Sequence, residues 1–461
     1  MAYPKTDAAG HTDMGRHPSE SQLPDRKPTA DHKMITGVVA VAVLLTGGRW
    51  ASHMHVGPLY IGDLLLCAAF LHAASSRLLS GKRPDRIYGP GILVGLLLVV
   101  TAFRLLDVQG DVQTAARDAA PFAYAAIAYL SAGAYQRVDG HGRERTVRVI
   151  YGGLLLHLGW MVVATLAPEF VATLPEVGST RVFEIRTDFD VAVLGLLTGL
   201  SILRMRRGRF WLHASVAIAA LVTGLAQVNR AGLLSCAACV MVAVMFRASA
   251  NGRLTPRAVF IGAITVLAVA VALPMSPAGQ RLLALNERAT SSSEIVEIAQ
   301  GTKRAREIAW ERVVTYTLND PARASVGVGF GPDFLQQSNG DLPIGRGIGV
   351  RSPHNYLITT FARLGFVGLT LVVALLAGLL TISIRTVRRG PPDELTALCV
   401  LLVISLLIVA LLGVILESPF GAAPFFWAAG ILLAGERSRR ARLRRNPEQN
   451  TLVSAPQEAI E

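Results

Sequence analysis

"RSPHNYLITTFARLGFVGLTLVVALLAGLLTI", residues 351–382, joins a polar entrance to an apolar run that holds one charge, Arg363. A run of roughly 17–25 apolar residues is long enough to cross a bilayer core, so this stretch reads as a membrane helix from about residue 355 to 382. Eleven further stretches read the same way: 34–50, 58–79, 88–106, 117–135, 147–167, 188–204, 210–227, 231–246, 258–274, 395–416 and 419–434. The last is short and contains Pro424, which makes it the weakest. The fold class expected is all-α, a polytopic membrane protein of about twelve spans.

Composition agrees. The 461 residues are 52% hydrophobic and 17% charged, where soluble domains carry about 25% charged residues. The formal charge of +13 invites a nucleic-acid reading, but the cations follow a topological pattern. With the N-terminus inside, the cytoplasmic segments hold 29 Lys and Arg and the outside segments 15, nine of them in a single long loop. That is the positive-inside bias; it places both termini in the cytoplasm and leaves no case for nucleic-acid binding. The first apolar run follows a polar tail, with no small-residue cleavage site after it, and reads as an anchor. Cys67, Cys236, Cys239 and Cys399 all fall in apolar spans, where small residues pack between helices.

The expected division is a disordered tail at 1–33, spans one to nine over 34–274, an extracytoplasmic loop at 275–353, spans ten to twelve over 354–435 and a basic tail at 436–461. A loop of that length carries structure or function of its own. Within it, "AGQRLLALNER", "EIVEIAQ" and "TKRAREIAWERVVTYTL" read as separate helices, the third capped by Thr302, with Arg306, Trp310 and Val313 on one side. "NDPARASVGVGFGPDF" then breaks the helix.

Chemistry concentrates outside. Ser352-Pro353-His354-Asn355 reads as a helix start, with Ser as N-cap, Pro at the first helical position and His in the first turn. There the helix dipole would favour an uncharged imidazole able to accept a proton. Arg230 sits in the tight outside turn of "GLAQVNRAGLLSC", where a guanidinium needs water, an anion or a buried partner; phosphate oxygens match its planar fork. Arg306, Arg351, Arg181 and Arg186 are further outside cations. Arg363, nine residues beyond His354, faces elsewhere on the helix. "GVGFG" has phosphate-loop spacing without the flanking strand and lysine. "TDFD" offers Asp188 and Asp190 as a metal pair, but Thr187 with Asp190 fits a capping box better. No metal or cofactor is expected.

Four segments resemble the O-antigen ligase and polymerase family of bacterial envelope proteins: "QVNRAGLL" (227–234), "RAREIAW" (304–310), "NDPARASVGVGFGPDF" (319–334) and "SPHNYLITTFARLGFVG" (352–368). The departure is Val228-Asn229, where the family commonly has a small hydroxyl residue before the arginine. The resemblance implies a GT-C-like membrane glycosyltransferase of the bacterial inner membrane. It would move a glycan from an undecaprenyl-diphosphate carrier to an acceptor sugar hydroxyl, with inversion and without a metal. Partners would be the lipid-linked donor, a glycan or glycolipid acceptor and the bilayer. The resemblance implies His354 as the base and Arg230, Arg306 and Arg351 as diphosphate ligands, supported by Asn355, Tyr356, Arg186 and Gly329. A transporter or flippase is the alternative, although the internal repeats and paired broken spans of such proteins are not found.

Overall fold

The computed structural model describes residues 55–56, 59–60, 90–108, 110–177, 180–181, 185, 187–205, 209–227, 229–249, 294–342 and 351–445. They are helical apart from connections and two hairpins of two-residue strands, His55–Val56 with Leu59–Tyr60 and Glu176–Val177 with Thr180–Arg181. The main helices are α1 (Pro90–Leu105), α2 (Val112–Ala123), α3 (Ile127–Arg137), α4 (Gly140–Leu166), α5 (Thr187–Arg204), α6 (Phe210–Ala226), α7 (Arg230–Ser249), α8 (Glu294–Leu318), α9 (Tyr356–Arg389), α10 (Glu394–Leu412) and α11 (Pro419–Arg445). The apolar stretches 34–50, 58–79 (apart from Leu59–Tyr60) and 258–274, and the expected helix "AGQRLLALNER", lie outside the described residues.

Among the described residues, α4, α9, α10 and the Arg230–Ala248 part of α7 are long and apolar enough to cross a membrane, and α1 and α6 are shorter apolar helices. α5 is equally continuous but carries Asp188, Asp190 and Arg204 within its 18 residues. The expected span 117–135 is not one helix. Asp111 caps α2 by accepting from the Gln113 and Thr114 amides. Pro121 then lacks an N–H for the ladder, and the chain tightens into a 3-10 turn at Tyr124–Ala126 before α3 resumes. α11 tolerates Pro424 near its start.

α10 is the hub. It packs against α4, α5, α7, α9 and α11, and its residues from Leu395 to Val403 are buried without a break. A helix apolar all round belongs in the interior. Close crossings use small residues, as membrane helices do. A methyl on Gly195 would lie 2.6 Å from the Cys236 Cα, and one on Gly199 3.1 Å from the Cys239 carbonyl. Both cysteines are buried and unbridged. Ser235 and Ser405 share a 2.6 Å hydrogen bond across the α7–α10 contact. By contrast Val99, Phe103, Leu156 and Trp211 are 65–80% exposed. Such a periphery suits lipid; in water a broad apolar patch would mark an interaction surface.

The long loop departs from expectation at its helices. α8 runs unbroken from Glu294 to Leu318, so Thr302 is an interior residue and not an N-cap; the two apolar patterns are in phase and Gly301 costs only about 1 kcal/mol in a helix. Val313 of α8 is buried against Phe334, Leu335 and Ala362, which fixes α8 over the entrance of α9.

Candidate functional site

Three distant segments meet at the corner Leu411-Leu412-Gly413, where α10 ends. Arg306 of α8 donates from Nη1 to the Leu412 carbonyl at 3.2 Å. Asn355 donates from Nδ2 to the Leu411 carbonyl at 3.2 Å. Gly413 brings its backbone beside Asp188, so that a methyl there would lie 3.7 Å from Oδ2. Asp188 also holds up the charge of Arg306, whose pKa burial lowers from the usual arginine value. Terminal helix carbonyls have no intrahelical partner, and here two side chains of the candidate site satisfy them.

Arg230 joins from the next helix pair. Asn229 accepts from the Gly232 amide at 2.8 Å and donates from Nδ2 to Thr187 Oγ1 at 3.4 Å. The asparagine therefore does the capping that a small hydroxyl residue would otherwise do, and ties the start of α7 to the start of α5 beside Asp188. Arg230 is half-buried.

The histidine lies elsewhere than its sequence suggests. Asn355 is the N-cap of α9, accepting from the Leu357 and Ile358 amides at 3.0 and 3.2 Å. His354 precedes the helix instead of occupying its first turn, and its φ is +59°. A non-glycine residue with positive φ is uncommon, histidine less so than most, and such strain persists only where surroundings impose it. Those surroundings are visible. The His354 amide donates to Ser352 Oγ at 3.1 Å, and Ser352 Oγ donates to Glu417 Oε1 at 3.0 Å. Glu417 also accepts from Thr359 Oγ1 at 3.0 Å. On the other side Trp310 Nε1 donates to the Pro353 carbonyl at 2.6 Å. Ser352 is thus a brace for the backbone and not the cap. Glu417 sits in the turn Ile415–Glu417, and burial raises its carboxyl from 4.5 to about 7, against the pull of its two hydroxyl donors and Arg363.

Beneath the histidine lies a second constellation. α9 is broken at Gly365, with φ +61° and ψ −161°. The break frees the Ala362 and Arg363 carbonyls, which accept from the Val328 and Gly329 amides at 2.8 and 3.1 Å. Gly327, Gly329 and Gly331 all have positive φ. A methyl on Gly327 would meet Arg363 at 2.3 Å, and one on Gly365 would meet Ser325 at 2.4 Å. The Gly-x-Gly-x-Gly segment therefore embraces a helix break. At Gly329 a side chain would be strained by the φ of +80°, and a methyl there would also push Arg104 Nη2, 2.7 Å away.

Asp118 of α2 locks the arrangement. Its Oδ2 accepts from Arg363 Nη2 at 2.7 Å, Arg351 Nη2 at 3.1 Å and the Gly331 amide at 3.1 Å. Arg363 is 2% exposed and also donates to the Gly329 and Pro332 carbonyls at 3.2 and 2.6 Å. Arg351, expected to hold diphosphate, lies instead between Asp118 and Asp333, the latter at 3.5 Å, and donates to the Gly331 carbonyl at 2.8 Å. Two carboxylates beside a guanidinium leave it little attraction for an anion. Arg351 and Arg363 converge on one carboxylate because the break at Gly365 folds the loop back over the helix.

Tyr356 is buried, stacked 6.1 Å from Phe122, which makes it core next to the site. Arg186 lies outside the described residues. Asp190 turns inward, with Oδ1 3.6 Å from His157 Nε2 and both side chains 1% exposed; it does not pair outward with Asp188. Glu417 and Asp118 went unnoticed in the sequence. Each is a lone acid in an apolar setting, "VILESPF" and "AARDAAPF", and intramembrane or near-membrane acids are commonly functional or paired.

Residues 214–373 match the family model described as O-Antigen ligase, in agreement with the resemblance of the four segments. The match encloses Arg230, Arg306, Gly329, Arg351, His354, Asn355 and Tyr356, while Asp118 and Glu417 fall outside it. It supports a membrane glycosyltransferase of the ligase or polymerase type in general. No curated protein matches the chain.

Proposed function

We propose, on the premise that residues 214–373 form an O-antigen ligase domain, that this protein moves a glycan from an undecaprenyl-diphosphate carrier to an acceptor sugar hydroxyl. The chain crosses the inner membrane about twelve times with both termini in the cytoplasm, and the site faces outward. His354 accepts the proton of the acceptor hydroxyl as its oxygen attacks the anomeric carbon. The bond from that carbon to the diphosphate oxygen breaks with its electron pair, and undecaprenyl diphosphate leaves with inversion. Arg230 and Arg306 stabilise the charge that develops on the leaving group, as preorganised cations do. They take the part that a divalent cation plays in other transferases. Arg351 is reassigned from ligand to scaffold, with Gly329.

The observation that carries this reading is the convergence at Leu411–Gly413. Arg306 and Asn355 anchor to successive carbonyls there, Asp188 stands beside both Gly413 and Arg306, and Asn229 ties Arg230 to the same helix start. Arg306 and Asn355, the neighbour of His354, thus hold successive carbonyls, and the start of α7 is tied to the helix that carries Asp188; this supports a shared grip on one diphosphate beside the acceptor, the positional requirement of an in-line displacement. The diphosphate link is already activated, so no other energy source is needed.

Substitution tests it. His354→Ala should lower transfer about 100- to 10,000-fold, the usual worth of a general base, and Arg230→Ala and Arg306→Ala should lower it comparably, with each variant still inserted and folded. Full transfer by the His354 variant would reject the assignment.

A further inference from the structure

The end of the bundle opposite His354 holds a cavity of about 690 Å³ between α3, α4, α9 and α11. α9 begins at the candidate site and ends at this cavity; the 20 residues from Gly365 to Arg385 alone span about 30 Å at 1.5 Å per residue. The wall carries Arg143, Arg385, Arg389, Arg437 and Arg439, with Glu436 its one acid. Arg143 is 2.9 Å from Asp393 and lies over the Tyr135 ring. Arg439 grips Glu436 with two hydrogen bonds. Arg385 is 4.0 Å from Glu436 with its side chain 46% exposed, and Arg389, one turn further on, has no carboxylate within ion-pair distance among the described residues. The cations outnumber the anions in a concave site.

We propose that this cavity binds a phosphate-bearing anion, and that its occupant is the headgroup of an anionic phospholipid. The geometry of α9 favours lipid over free phosphate. Leu380 and Ile384, 41% and 45% exposed, lie just before Arg385 on the exposed arc of the helix, and Arg389 follows one turn beyond Arg385, about 180° round the axis from Leu380. Acyl chains lying along the apolar part would bring a phosphodiester to the two guanidinium forks, which match phosphate oxygens. The carbonyl end of α9 opposes an anion with about half a charge, and two arginines outweigh it. Basic pockets between membrane helices on the cytoplasmic side bind such headgroups, and the positive-inside bias assigns this end to that side. The inference stands independently of the transferase reading.

The test uses the full chain purified in detergent and reloaded with phosphatidylglycerol or phosphatidylcholine, with bound lipid counted by native mass spectrometry. The wild type should retain one phosphatidylglycerol in preference to phosphatidylcholine. Arg385→Gln/Arg389→Gln should lose about 30-fold of that preference and Arg389→Gln alone about fivefold, the worth of a basic residue at an anionic surface. No preference in the wild type, or an equal preference in the single and double variants, overturns the site. Inorganic phosphate occupying the cavity as well as phosphatidylglycerol overturns the lipid as its occupant.

Discussion

Asp118→Asn is the perturbation that most directly strains the scaffold under the histidine. The substitution keeps the shape and removes the charge. Arg363, 2% exposed, would then keep the Gly329 and Pro332 carbonyls and the Phe334 ring, and would face Arg351 with its bonded anion gone and only Asp333 and Glu417 left to offset the two charges. Breaking a buried ion pair by removing one partner costs about 3–5 kcal/mol. The segment that must open is the one Asp118 also holds through the Gly331 amide. Hydrogen exchange of the Val328 and Gly329 amides, which are bonded to Ala362 and Arg363, reports that opening. A cost of about 3–5 kcal/mol predicts exchange faster by about 100- to 5,000-fold, since each 1.4 kcal/mol is tenfold. Adding Arg363→Gln should restore part of the protection, because neighbouring groups of one network do not lose stability additively. Exchange within threefold of wild type in Asp118→Asn would refute the claim that this carboxylate holds the loop.

Gly365→Ala should lower stability by at least about 3 kcal/mol, from positive-φ strain and the 2.4 Å approach to Ser325; an unchanged melting temperature would contradict it. Glu417 has a pKa raised in the folded protein from 4.5 to about 7, so its contribution is fully present below the unfolded value and is lost as pH rises through the folded one. Stability should fall across that window by at most about 1.4 kcal/mol per pH unit, and Glu417→Gln should flatten the melting profile; an identical slope in the variant would contradict it. Trp310→Phe removes the 2.6 Å bond to the Pro353 carbonyl and should lower transfer by about 10- to 100-fold without unfolding the protein, as steady-state kinetics and a melting curve would show.

Helix positions were legible because they depend on local composition: α4, α7, α9 and α10 follow directly from long apolar runs. The candidate residues Arg230, Arg306 and His354 could be picked out as polar groups near apolar runs. What brings them together was not legible. Arg351 and Asp118 are 233 positions apart, and nothing in either neighbourhood announces the other. The break at Gly365 hides inside an apolar run because a single glycine does not interrupt hydrophobic periodicity. The cap of α9 was misplaced by three residues because Ser352 and Asn355 are both good caps, and only Glu417, more than sixty positions away, draws the serine aside. Thr302 was misread for the reverse reason: a capping residue inside a helix is indistinguishable by type from one at its start.

The most direct test of the central claim is reconstitution of the purified chain in proteoliposomes with an undecaprenyl-diphosphate oligosaccharide and a glycan acceptor. Glycosylated acceptor and released undecaprenyl diphosphate would be counted together by mass spectrometry. The account predicts that the two appear in equal amounts and that both vanish in His354→Ala. Movement of the intact donor across the bilayer with no glycosylated acceptor would contradict it and favour a transporter.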